Sequence, residues 1–317
     1  MVELKPAITY EEQMKLLLDR GVTVNDPVLC KKILSEISYY RLSAYFLPFR
    51  NDDGSYKAGT DFSRVYRIYE FDRKLRHVIF SAVEEIEIYL RTKLAYYHAH
   101  HYGAEGYMKP ENFGTAHQSQ KFKENIKREI ENNKRSPFVR HHIEKYEGRF
   151  PVWVISELFT FGMLSRFYSD LKTPDKKELA KDLYGTTERN VSSWLRCVTD
   201  LRNICAHYGR LYYRIFTAVP AGMGRWPESA KRRLWGAILA LKELYPDSSK
   251  WNSEVLPAMT ALFDEYSEDI ELYHIAFPED WKNCLRMERG DERLQDVDCT
   301  DSCPESQRDC DCILTHT

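Results

Sequence analysis

Several signatures of common function classes are missing from this 317-residue chain. The apolar run around Leu234 to Leu241 is too short to span a bilayer, which needs about 20 apolar residues. The start, Met1 to Ala7, lacks the basic-then-apolar order of a secretion signal, so the expected location is cytoplasmic, with no membrane partner. No glycine-rich phosphate loop of the Walker or dinucleotide type occurs. Gly222 and Gly224 flank a single methionine without the required third position, which argues against nucleotide-driven chemistry. Metal ligands are poorly spaced as well. His98, His100 and His101 do not stack on one helical face, and neither do His141 and His142, because ligation from a helix wants steps of three or four. Cys299, Cys303, Cys310 and Cys312 contain no C-x2-C pair and are interleaved with aspartate, so they read as part of an acidic, flexible tail. No metal and no cofactor are expected. Sustained period-two alternation is scarce and no internal repeat is evident, which disfavours β architectures.

What is present reads as an all-α chain. Apolar residues make up 43% of it and aromatics 13%, enough for a substantial core. Thr9 and Glu12 form a capping box, and Asp26-Pro27 opens a second helix that runs toward a Tyr-Tyr-Arg segment. From Asp61 to about Tyr102 the pattern is helical throughout, long enough for about 60 Å at 1.5 Å per residue. Residues 115–148 look like a charged, exposed helical insertion, and Pro151 to Tyr168 like central core. Further helices are predicted over 174–184, 187–213, 227–244 and 254–273. The expected organisation is therefore an N-terminal helical segment (1–60), a helical body (61–287) and an acidic tail (288–317). That tail holds nine acidic side chains and three arginines, so the net charge of −2 conceals a mildly basic remainder, and any attraction for phosphate must be local.

Such a concentration occurs in the predicted helix over 187–213. At about 100° per residue, with Arg202 as zero, Ala206, Arg210, Asn203 and His207 fall near 40°, 80°, 100° and 140°, one polar arc. Val191, Trp194, Val198, Leu201, Ile204, Cys205, Tyr208, Leu211 and Tyr212 take the other side, expected to be the core face. Arginine is always charged and forks onto phosphate, while histidine titrates close to neutral pH, so the pair can supply charge stabilisation and proton transfer without a metal. A solvated helix face would carry the same residue types, and on spacing alone that plainer reading is favoured. Tyr39, Tyr40, Arg41 and Tyr45 combine aromatic faces with a cation, the ingredients for contact with single-stranded RNA, or equally for a packed helix junction. Glu87 and Arg91 have the spacing of a surface ion pair.

Three segments carry a family resemblance. They are Ser38-Tyr-Tyr-Arg-Leu-Ser-Ala-Tyr-Phe-Leu-Pro-Phe49, Ile86-Glu-Ile-Tyr-Leu-Arg91, and Leu201-Arg-Asn-Ile-Cys-Ala-His207 followed by Gly209-Arg-Leu211. In these the chain resembles the abortive-infection (Abi-like, AbiD/AbiF type) proteins of bacteria, within the HEPN superfamily of helical ribonucleases. It departs from the pattern at Tyr208, where a second histidine is expected, and at Tyr212-Tyr213, where a Trp-Asn pair is common. The resemblance implies a HEPN-type helical bundle and a metal-independent endoribonuclease of antiphage defence. It assigns catalysis to Arg202, His207 and Asn203, and RNA contact to Arg210, Arg214, Tyr208, Arg41 and Tyr40. Glu87 and Arg91 would support the catalytic helix. The implied partners are an RNA substrate and a second subunit completing a composite cleft. The rival expectations are a non-catalytic RNA-binding or scaffold protein, and a toxin held inactive by a small noncoding RNA or protein antitoxin.

Overall fold

A computed structural model describes residue 4 and residues 6–288, so the cysteine-containing tail expected over 288–317 lies almost wholly outside the described residues. The architecture is all-α, with no strand among the described residues and only isolated bridges such as Arg50 to Tyr56. Helix α1 (Tyr10–Asp19) starts at the Thr9–Glu12 capping box, and α2 (Pro27–Glu36) starts under Asp26, whose carboxylate accepts from the Val28 and Leu29 amides. The short α3 (Tyr39–Ser43) follows Ser38. Helix α4 (Phe62–Tyr102) then runs 41 residues without a break, about 60 Å, because no glycine or proline interrupts it. Asp61 caps its first turn, and Gly103, at φ 78°, ends it.

The core face of α4, including Leu75, Ile79, Ile86 and Leu90, is fully buried. Two helices follow, α5 (Ser119–Asn132) and α6 (Pro137–Lys145), and they are less peripheral than their charge implies. Phe122, Ile126 and Val139 are buried, and the Phe122 ring meets Phe113, Phe159 and Phe167. Next come α7 (Val152–Ile155), α8 (Phe161–Asp170) and α9 (Thr173–Tyr184), which bury Ile155, Phe161, Leu164 and Phe167, whereas Trp153 is half exposed and lies outside the core.

Helix α10 (Glu188–Ala206) occupies the centre, packed against α4, α8 and α9 and against α12 (Leu234–Leu244). Every residue from Leu234 to Leu241 is buried, so the strongest apolar run of the chain is a core helix. No helix among the described residues is long and apolar enough to cross a membrane. The region expected as one helix over 227–244 is two, α11 (Glu228–Lys231) and α12, and the one expected over 254–273 ends early. There α13 (Ser248–Lys250) passes through a π turn into α14 (Leu256–Glu265), which packs on α4, and α15 (Leu272–Ile275) follows as a separate turn. Cys30, Cys197 and Cys205 are buried, and burial raises their thiols to about 11, 12 and 12, as befits small core residues.

Candidate functional site

Helix α10 stops at Ala206, seven residues short of the expected end at Tyr213. His207 is its C-cap, and Tyr208 takes the left-handed conformation, φ 57°. The Gly209 amide donates to the Ile204 carbonyl at 2.7 Å and the Tyr208 amide to the Cys205 carbonyl at 3.1 Å, the two bonds of a Schellman motif. A glycine is required at 209 by contact rather than by φ, because a Cβ there would stand 2.9 Å from Ile204 Cγ2. The placement of Arg210 on the same helical arc as Arg202 and His207 is therefore corrected. Its chain has already left the helix, and the guanidinium is half buried.

The turn is held from outside by α4 and α3. Asp72, completely buried on α4, accepts from the Tyr212 amide at 2.7 Å, the Leu211 amide at 3.1 Å, the Tyr45 hydroxyl at 2.7 Å and Arg76 Nη1 at 2.6 Å. Burial pushes this carboxyl up from its ordinary range, while Arg76, Tyr45 and the two amides pull it down. All four neighbours donate, so the group they fit is the carboxylate. Arg76 Nη1 also donates to the Gly209 carbonyl at 3.2 Å, and Arg41 Nη1 to the Tyr208 carbonyl at 2.7 Å. Two arginines and one aspartate thus fix the main chain from 208 to 212.

Around this turn the expected residues divide into two groups. The Arg202 guanidinium lies over the Phe80 ring, 5.7 Å from its centroid, and its buried Nε has no hydrogen-bond partner. Asn203 and His207, four residues apart, both present exposed side chains. Arg210 turns inward toward Tyr45 and Asp72, its Nη1 is shielded and unpartnered, and burial lowers its pKa from the ordinary value. Arg214 lies beside it, donating to the Arg210 carbonyl at 3.4 Å. Among the described residues, Arg41, Arg202, Arg210 and Arg214 have no carboxylate within 4.0 Å, whereas Arg64, Arg67, Arg73, Arg76 and Arg91 are all paired.

Tyr208 and Tyr40 are 68% and 88% exposed, the first on the turn and the second on α3 beside Arg41. Glu87 and Arg91 sit elsewhere. Their ion pair is 2.9 Å and mostly buried, and Arg91 also donates to the Phe159 carbonyl at 3.0 Å. Arg91 lies eleven residues beyond Phe80 on α4, about 16 Å along the axis, so it braces the approach to α8 and does not touch the turn.

Sequence reading missed Asp72, Arg76 and Phe80. Asp72 and Arg76 are four apart in the orientation of an ordinary surface pair. Their signal was position, since both fall beside Phe71 and Leu75 on the apolar stripe of α4, where charge needs a buried partner.

The protein is all-α, and among the described residues Arg202 has no carboxylate within 4.0 Å while His207 is exposed at the end of the central helix. The Abi-like protein family model matches residues 32–213, more than half of the chain, and includes α3, α4 and all of α10 with its turn. The chain belongs to the Abi-like protein family, whose name denotes abortive infection, a bacterial defence against phage. No curated protein and no solved structure matches it.

Proposed function

We propose that this protein is a metal-independent endoribonuclease of antiphage defence, of the HEPN type, cutting RNA by attack of a ribose 2′-hydroxyl on the adjacent phosphate. The observation that carries this reading is Arg202, without a carboxylate partner and laid on Phe80, five residues before the exposed His207, which leads into a turn clamped by Asp72, Arg76 and Arg41. An arginine without a counter-ion in a clamped frame is suited to charge that develops on phosphate oxygens in the transition state.

In this mechanism His207 moves a proton at the sugar oxygens, taking it from the 2′-hydroxyl or delivering it to the departing 5′-oxygen. Arg202 neutralises the charge on the nonbridging oxygens, and Asn203 orients one of the sugar oxygens. The new O–P bond closes a 2′,3′-cyclic phosphate, the P–O5′ bond breaks, and the second product carries a 5′-hydroxyl. One histidine cannot act as base and acid in a single displacement. A second subunit bringing its own histidine to the cleft resolves this. Arg41, Arg214, Tyr208 and Tyr40 border the cleft as contacts for RNA.

Incubation with labelled single-stranded and structured RNA in EDTA tests the reading. The parent is expected to cut, and Arg202→Ala and His207→Ala each to lose at least about 100-fold in rate with unchanged circular dichroism and melting. Absence of cutting by RNA-free parent protein, or full activity in either variant, overturns it.

A further inference from the structure

Beside the candidate cleavage centre lies a cavity of about 250 Å³, between the last two turns of α10 and the chain from Arg214 to Thr217. Its walls include Asp200, Asn203, Arg214, Ile215, Phe216 and Thr217. Asp200, Asn203 and His207 follow one another at steps of three and four, so they share one side of the helix end, and the cavity opens about one turn from His207. A nucleotide whose phosphate lay at His207 would bring its base here.

The Asp200 carboxylate is the informative wall. Thr217 Oγ1 donates to its Oδ2 at 3.4 Å, and among the described residues no lysine, arginine or histidine stands within 4.0 Å of it. A carboxylate with no cation beside it repels phosphate in an RNA cleft, but it can accept from a base. Being acceptor-only, it matches an edge with two adjacent donors. Among the four RNA bases, guanine alone has that edge, its N1–H and exocyclic amino group. The exposed Ile215 and the buried Phe216 offer apolar surface to a base, and Arg214 offers its guanidinium to the nucleotide's phosphate.

We propose that this cavity is a guanine subsite, with Asp200 as the specificity-determining residue of the ribonuclease. The assignment rests on the RNA-cleaving reading of the same helix end. Unpaired guanine next to the scissile phosphate is then the preferred cutting position, because in a duplex this edge is already occupied by cytosine.

Two measurements on the full-length protein test it. The first is NMR or calorimetric titration with the 3′- and 5′-monophosphates of guanosine, adenosine, cytidine and uridine. A guanosine nucleotide is expected to bind at least about tenfold more tightly than the others, the discrimination of one good bidentate pair, and Asp200→Asn, with a donor in place of an acceptor, is expected to level the series. Ile215→Ala is expected to weaken guanosine binding severalfold without changing the order. Equal binding, no binding, or a preference retained in Asp200→Asn overturns the subsite. The second is mapping of cut positions on unstructured RNA. Cutting without regard to guanine overturns the subsite while leaving the ribonuclease intact. Guanine-selective binding with no cutting leaves the subsite intact and overturns the ribonuclease.

Discussion

Tyr208 holds a backbone conformation that L-residues avoid, φ 57°, in the position after a helix that glycine usually fills. Its side chain is 68% exposed, so little burial compensates for the strain. Tyr208→Gly is expected to raise stability by about 0.5–1 kcal/mol, the relief of a left-handed residue less the entropy of an added glycine. Tyr208→Ala, which keeps the Cβ, is expected to gain nothing. Equal melting temperatures for the two variants would contradict the strain assignment. Tyr213 also adopts φ 57°. Arg202, Asn203 and His207 were legible in the sequence as candidates through the family resemblance, since their polar arc by itself fits a solvated helix face as well. The conformation of Tyr208 was not legible, since it follows from how Gly209 meets Ile204 and how α4 grips the next residues.

Two elements meet at the site, and they differ in how they are determined. Helix α4 is a local object: Asp61 at its start, Gly103 at its end and 41 residues free of glycine and proline in between. Helix α10 ends for a non-local reason. Its apolar pattern continues through Leu211 and Tyr212, and both are indeed buried, but on a turn whose amides are taken by Asp72 and not by carbonyls of the helix. Asp72→Ala would strip the partner from a buried Arg76, a tyrosine hydroxyl and two amides at once. The expected cost is about 3–5 kcal/mol, seen as a lower urea midpoint. A loss below about 1 kcal/mol would show that the clamp is not what holds the turn. The Cα and Cβ positions of Asp72 are predictable from the helix, but its burial is decided only when the 207–212 segment folds over it.

At the scale of the whole molecule, two buried imidazoles link stability to pH. His98 sits among Tyr102, Phe113 and Phe167 with neither ring nitrogen hydrogen-bonded to protein, and His274 faces the Tyr212 hydroxyl at 2.8 Å. Burial lowers both to about 4, against about 6.5 in the unfolded chain, with Asp175 opposing the shift at His98 and Glu271 at His274. Because the folded state holds them neutral, their stabilisation is complete above pH 6.5 and is lost as pH falls toward 4, at about 1 kcal/mol per unit for each. His98→Phe is expected to remove a large part of this slope in denaturant titrations between pH 7 and 4.5. An unchanged slope would show that His98 is not the linked group. Taken alone, the amino-acid sequence determined the all-α class, the uninterrupted α4, the core helix at 234–241 and the grouping of Arg202, Asn203 and His207 within one short helical stretch, because caps, breakers and periodicity act within a few residues along the chain. Tertiary structure alone decided where α10 stops, which arginines are left without counter-ions and that Asp72 is buried. Those outcomes depend on groups more than a hundred residues apart competing for the same amides and carbonyls, as Asp72 does for the Leu211 and Tyr212 amides.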